Sequence, residues 1–369
     1  NPNVRAGTSP AARTKLLPRR DFAVAGALAL LSMLVFCQAV GFQFLNYDDD
    51  RMVTANADVQ KGLSAEGIRW AATGFNYGIW MPVTNLTHLA DVSLFGENPA
   101  GHHAVNLLWH AAAVALWYLA LVALTGRPWE SALAVALFAL HPMRASVVAW
   151  VSSRKELTCA AFYALAVLLY ARHAARPSVS RMAAVTVSGA LAMMGKPMAV
   201  TLPAALLLLD AWPLGRLKSG AAPMWKQAGR LAGEKAPLFL FSAVTAVMAY
   251  IGQREVGAVV LNQRLYSGTP RLQNAVVSYA RYLGHTLWPA HLTIHDPVLG
   301  TRLTPLWFTG AAALLAAISI LVIVFRRRGY PAVAWCWFLG TFTPVIGVVG
   351  FANTSMADRY SYLPHMGLF

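Results

Sequence analysis

The sequence is short of charge. Only 12% of its 369 residues are Asp, Glu, Lys or Arg, about half the share of an ordinary soluble domain. A soluble globular enzyme does not fit that deficit. Cysteine is scarce as well: Cys37, Cys159 and Cys336 lie in apolar stretches, with no CxxC or His/Cys cluster. That argues against structural zinc or a disulfide framework, and for buried thiols. Disorder is excluded by what is abundant, 57% hydrophobic residues and a mean hydropathy of +0.50, because disordered chains lack apolar residues. The net charge of +15 and pI near 10.1 suggest nucleic acid, until the charges are placed.

Charge-free runs mark membrane segments. Phe22–Phe42, Ala104–Gly126 and Leu303–Phe325 are each long enough to cross a bilayer core about 30 Å thick. Gly329–Ala357 and Ala236–Gln253 follow, with four shorter runs at Ser131–Met143, Leu157–Ala171, Met182–Gly195 and Pro197–Leu209. The reading is an all-α, multi-pass integral membrane protein: a cytoplasmic segment over 1–21, then one membrane domain over 22–369. It has about nine spans, with a tenth cut off at Phe369. With the N-terminus inside, inner segments hold 17 of the 30 basic residues against four acids, and outer segments 13 against 11 acids. The basic excess recurs at every second loop, the pattern of topology and not the single basic face of a nucleic-acid binder. The 21-residue core of the first run exceeds a signal-peptide core of about 7–15 residues, which disfavours cleavage. Both ends of the chain read as incomplete.

Two outer loops are long, 43–103 and 254–302. In the first, Val83, Leu86, Ala90 and Leu94 space Pro82–Phe95 as an amphipathic helix on the membrane face. Arg271–Trp288 repeats the pattern.

The strongest chemical signal is Asn46-Tyr47-Asp48-Asp49-Asp50, directly after the first span. Such a run is either a hydrated, helix-capping loop or a site where a tuned carboxylate takes a proton from a hydroxyl. Crowded carboxylates also suit a divalent cation. Basic residues fall on the same outer side: Arg154 and Lys155 (beside Glu156), Lys196 before Pro197, and Arg359 between Asp358 and Tyr360. Singly each reads as snorkelling; together they suit a phosphate or pyrophosphate. His102 and His103 close the first outer loop, able to orient a carboxylate or bind metal. Asn85-Leu86-Thr87 and Asn353-Thr354-Ser355 match glycosylation sequons by pattern only.

Six ordered stretches carry a family resemblance: NYDDDRMVTANADVQKGL, WMPVTNLTHLADVSLFG, GHHAVNLLWH, HPMRASVVAWVSSRKEL, GKPMAVTLPAALLLLDAWPL and MADRYSYLP. Through them the chain resembles multi-span glycosyltransferases of the GT-C type, most closely the bacterial relatives of TMTC-type protein O-mannosyltransferases. The resemblance implies a polyprenyl-phosphate-sugar donor drawn from the membrane lipids, with mannose one candidate sugar. It also implies a Ser or Thr acceptor on an exported protein, and a periplasmic or lumenal active site. Asp48 or Asp49 becomes the general base, with Asp50 an extra neighbour. Arg154, Lys155, Lys196 and Arg359 lie by the donor phosphate, where cations offset developing charge. The resemblance further implies downstream tetratricopeptide repeats, and this sequence reads as stopping short of them. Relatives carry acids where Ser146 and Ser153 stand here. Two alternatives stay open: a lipid or solute transporter or flippase, which the short Pro-bearing runs around Lys196 would suit, and a GT-C-like scaffold without catalysis, which Ser146 and Ser153 would suit.

Overall fold

The computed structural model describes residues 17–217, 222–258, 268–297, 303–348 and 354–369. Arg5, Arg13, Lys15 and Lys218, counted above for orientation, lie outside the described residues, as does Asn353 of the second sequon. The chain is a helical, multi-pass membrane protein. Five helical segments are long and apolar enough to span a bilayer: Arg19–Gly41, Pro99–Thr125, Val151–Ala175, Ala236–Glu255 and Pro305–Val324. A sixth is broken, Pro128–Leu140 and Pro142–Val148 meeting at 56°. Val179–Gly195 and Pro197–Ala211 are shorter apolar helices.

In chain order the α-helices are α1 (Arg19–Phe36), α2 (Ala65–Thr73), α3 (Pro82–Phe95), α4 (Pro99–Thr125), α5 (Pro128–Leu140), α6 (Ala145–Val148), α7 (Arg154–Ala175), α8 (Val179–Gly195) and α9 (Leu202–Ala211). Then follow α10 (Met224–Glu234), α11 (Ala236–Glu255), α12 (Thr269–Leu287), α13 (Pro305–Val324) and α14 (Tyr330–Phe342). A two-stranded antiparallel ladder pairs Asp296–Pro297 with Thr354–Met356.

The core is built on α4 and α7, which pack on each other and on α1 and α8. Buried Trp117, Tyr163 and Trp337 meet edge-on or tilted within it, with ring centroids about 6 Å apart. Helix α13, by contrast, leaves nearly all of its apolar surface facing outward. In water that would be an aggregation hazard; in a bilayer, lipid covers it at no hydrophobic cost.

Two local features position the site. The 29-residue charge-free run at 329–357 does not form one helix: α14 stops at Phe342, ahead of Pro344 and Gly347, and the chain emerges as a strand at Thr354. Pro344 has no backbone N–H with which to continue the helical hydrogen-bond ladder. The second break is at Lys196, extended at φ −157°, ψ 135° between Gly195 and Pro197. Thr84 of α3 pins this break by donating to the Gly195 carbonyl at 2.9 Å, and its hydroxyl lies 2.8 Å from that of Thr158. A Cβ at Gly195 would sit 2.9 Å from the Cys159 nitrogen, so only glycine permits that approach.

Helix α3 runs over the residues its periodicity indicated, but its polar side faces in. Thr84, Asn85, His88 and Asp91 are buried, while Leu94 is 73% exposed. Asn85 accepts a hydrogen bond from Asn76 at 3.2 Å and is buried, so the asparagine of the first sequon is sealed inside the fold.

A second polar network lies toward the other end of α7. Lys235 donates to Asp210 at 2.6 Å, Tyr170 donates to Asp210 at 2.6 Å, and Arg216 forks onto Glu234 at 2.9 and 2.7 Å. Tyr170 follows Lys155 by 15 residues, about 22 Å of helix.

Candidate functional site

The three aspartates of the acidic run have separate fates. Asp49 is fully buried. Its Oδ1 accepts the backbone N–H and the hydroxyl of Ser152, at 2.8 and 2.5 Å, and its Oδ2 accepts the Leu45 N–H at 2.9 Å. Burial pushes its carboxyl above the usual range, and the Ser152 and Leu45 hydrogen bonds oppose that. Asp50 opens a short π-helical turn over Asp50–Thr54 and does not line the cavity described below. Asp48 does line it, half-buried, with φ +65°. A non-glycine residue held left-handed costs about 1–3 kcal/mol and persists where the surrounding structure demands it.

The cavity encloses about 1260 Å³, larger than the roughly 300–1,000 Å³ of ordinary small-molecule sites. Apolar residues of α9, α11 and α14, among them Leu208, Val247, Tyr250 and Trp337, form much of its wall. Asp48, Lys155, Lys196, Arg359 and Tyr360 line it too. Five of the sequence candidates, spread over more than 300 residues of chain, thus line one cavity.

The cations are braced from behind. Lys196 Nζ donates to Glu156 Oε1 at 2.6 Å and lies 4.8 Å from the centre of the Tyr360 ring. Lys155 donates to the Ser152 carbonyl at 2.8 Å. Arg359 donates to the Ile294 carbonyl, and its guanidinium stacks between the rings of Trp150 and Tyr360 at 5.0 and 4.8 Å. Burial opposes its charge, but Tyr360, Glu156 and Asp48 hold it above the usual guanidinium range. Such faces stabilise a partly desolvated cation by about 0.5–2 kcal/mol each. Glu156 stands behind this wall and does not line the cavity.

Other candidates hold structure. Arg154 is fully buried away from the cavity, donating to Asp91 at 2.7 Å, to the His102 carbonyl at 2.8 Å and to Asn106. Asp358 accepts the Thr293 N–H at 2.5 Å, fixing the segment ahead of the strand, whose Ile294 carbonyl anchors Arg359. His103 packs edge-on to Phe42. Ser146 and Ser153, standing where the resemblance expects acids, do not line the cavity.

Among the described residues, one group could hold a metal: His88, Asp91 and His102, with ligand atoms within 4.8 Å of one another and all buried. Arg154 already places its guanidinium on Asp91 there. A divalent ion beside it would leave two net positive charges in a dry site, which is costly. These three residues do not fit a metal while Arg154 is present.

Sequence reasoning missed Trp150 and His295. Trp150 donates its indole N–H to the Tyr47 carbonyl at 3.1 Å, and its ring lies beneath both Lys155 and Arg359. The signal was an aromatic residue four positions before a basic pair, Arg154-Lys155. His295 lines the cavity, and burial followed by Arg359 lowers its basicity. Nothing in its local sequence marked it.

Comparison with curated proteins fits this picture. The chain is 32% identical over 151 residues to Protein O-mannosyl-transferase Tmtc2 of Drosophila melanogaster, covering 39% of this chain and 16% of that one. It is 30% identical over 166 residues to Tmtc1 of the same organism, covering 42% and 19%. Against Protein O-mannosyl-transferase TMTC4 of Mus musculus it is 28% identical over 165 residues, covering 39% and 22%. The chain spans less than a quarter of the length of these relatives. No family model and no solved structure matches it.

Proposed function

From this TMTC-like kinship we propose that the chain is the catalytic membrane portion of a GT-C-type glycosyltransferase. It moves a sugar from a polyprenyl-phosphate donor to a Ser or Thr hydroxyl of an exported protein. Mannose is the sugar that the relatives' names favour. The single observation carrying the proposal is the joint presence of Asp48 and three cations, Lys155, Lys196 and Arg359, on the wall of a large, mainly apolar cavity.

Each part has a task. The isoprenoid tail lies against the apolar residues of α9, α11 and α14. The donor phosphate meets Lys155, Lys196 and Arg359, of which Arg359 offers a planar fork suited to phosphate oxygens. The acceptor oxygen forms a bond to the anomeric carbon as the bond from that carbon to the phosphate oxygen breaks. The electron pair leaves with the phosphate and the hydroxyl proton goes to Asp48. Asp49 keeps the loop bearing Asp48 in place. Arg154, with Asp91, braces α7 against α3. The site faces away from the cytoplasm, as the Lys and Arg distribution along the chain supports.

The test is direct. Purified protein in lipid nanodiscs is given polyprenyl-phosphate mannose and a Ser/Thr-rich acceptor peptide, and glycopeptide is measured by mass. Transfer that disappears in Asp48→Asn supports the proposal. Folded wild-type protein that transfers no sugar from any polyprenyl-phosphate hexose removes it.

A further inference from the structure

Glu156 is nearly sealed from solvent, yet its bonding is incomplete. Oε1 serves two cations, Lys196 Nζ at 2.6 Å and Arg359 Nε at 3.7 Å. Oε2 has no hydrogen-bond partner, and neither does Arg359 Nε. A buried carboxylate ordinarily collects donors on both oxygens, because an unmet one costs desolvation energy. Here Lys196 donates to one oxygen and Arg359 approaches the same one, leaving the other unmet. Three like charges, Lys155, Lys196 and Arg359, would otherwise repel one another at the same wall.

We infer that Glu156 is a positioning residue, an internal counter-anion that gathers Lys196 and Arg359 for the donor phosphate and limits how tightly the lipid phosphate product is held. The inference rests on the donor reading above and goes further by giving the leaving phosphate a release mechanism. Charge balance supports it. The three cations face two carboxylates, Asp48 and Glu156, so the empty site keeps one positive charge. A sugar-bearing phosphodiester carries a single negative charge and brings the site to neutrality. After transfer the lipid phosphate monoester carries close to two negative charges, while Asp48 has taken the hydroxyl proton. The balance is neutral again. Without Glu156 both states would sit in an excess of positive charge, and the doubly charged product would gain most. Tighter product binding slows turnover, because binding that does not favour the transition state does not raise kcat.

The experiment compares wild type, Glu156→Gln and Glu156→Asp in nanodiscs. Polyprenyl monophosphate, the sugar-free product, is the equilibrium binding probe, and kcat and KM for sugar transfer are measured alongside. Glu156→Gln preserves shape and removes one negative charge. It is expected to bind the probe roughly tenfold tighter, with kcat lowered. Glu156→Asp keeps the charge and withdraws it by one methylene. Its affinity is expected to stay within about threefold of wild type while kcat falls, because the cations are no longer held in register. A residue serving only as a brace gives another pattern: both variants melt earlier and both bind more weakly.

Equal or weaker probe binding by Glu156→Gln overturns the inference. If that variant does not fold, Glu156→Asp decides, and weakened binding with kcat intact overturns it. Wild type that binds the probe but transfers no sugar refutes the reaction, and the binding comparison still decides the role of Glu156. Wild type that fails to bind the probe refutes both.

Discussion

Asp49 takes both the backbone N–H and the hydroxyl of Ser152 on one carboxylate oxygen, although 103 residues separate the two. The bond ties the first long loop to the turn that starts α7, and so to Lys155 and Glu156. Its neighbour Asp48 lines the cavity. Adjacent acids that look alike in sequence therefore divide into an anchor and a candidate base.

That division separates two substitutions. Asp48→Asn is expected to lower kcat by about 10²–10⁴-fold, the range for loss of general base catalysis, with Tm unchanged. Asp49→Asn turns an amide N–H toward donors that need an acceptor and is expected to cost about 1–3 kcal/mol of stability. Melting curves and single-turnover transfer on both variants check this. Unchanged transfer in Asp48→Asn would remove Asp48 as the base.

Arg154 makes the opposite prediction to Lys155. Arg154→Met strands Asp91 in the interior and is expected to destabilise by about 3–5 kcal/mol. Asp91→Leu added to it is expected to restore most of the loss, since replacing both members of a buried pair by apolar groups is often near neutral. Lys155→Met is expected to raise the donor KM with little change in Tm. A raised donor KM in a stably folded Arg154→Met would return Arg154 to the phosphate site.

Acid should weaken the fold through His88. Burial, then Arg154, pushes its basicity well below the ordinary value of 6.5, and neither ring nitrogen has a hydrogen-bond partner. His365 is lowered in the same direction by burial and Arg144. A folded-state pKa below the unfolded one means the unfolded chain takes up the proton first. The stability is therefore complete above pH 6.5 and lost as pH falls below it, by up to about 1.4 kcal/mol per pH unit for each histidine. Tm recorded from pH 8 to pH 5 is expected to fall, with a shallower slope in His88→Leu. Identical slopes would assign the effect elsewhere.

Chelation is expected to leave Tm and transfer unchanged. Arg154 supplies the positive charge on Asp91, and Asp49 spends its oxygens on Ser152 and Leu45. A Tm drop of several degrees in EDTA, reversed by one added divalent metal, would contradict this.

Much of this was legible in the sequence. Pro82 and Gly96 bound α3 where periodicity placed it, because proline suits the first helical turn and Gly96 takes φ +58° just past the last. Lys155, Lys196, Arg359 and Asp48, which line one cavity, could be picked out because charge is rare enough here that each one stands out. The failures are physical too. Amphipathic spacing shows that α3 has two faces, but not which is inside, since lipid accepts Leu94 while the protein keeps Asp91. Arg154 and Lys155 are neighbours 100° apart around one helix, so one points to the cavity and the other to α3. Charge-free length alone did not reveal that Pro344 and Gly347 follow the end of α14.

Trp150 has a consequence beyond its own contacts. Its N–H grips the carbonyl just before Asp48 while its ring face supports Lys155 and Arg359. One rigid indole thereby spaces the candidate proton acceptor from the proposed phosphate clamp, so the reach of the proposed reaction is gauged by a flat, inflexible shim. A bulkier or slimmer ring at this position would leave every charged group intact and still put the two halves of the chemistry out of step.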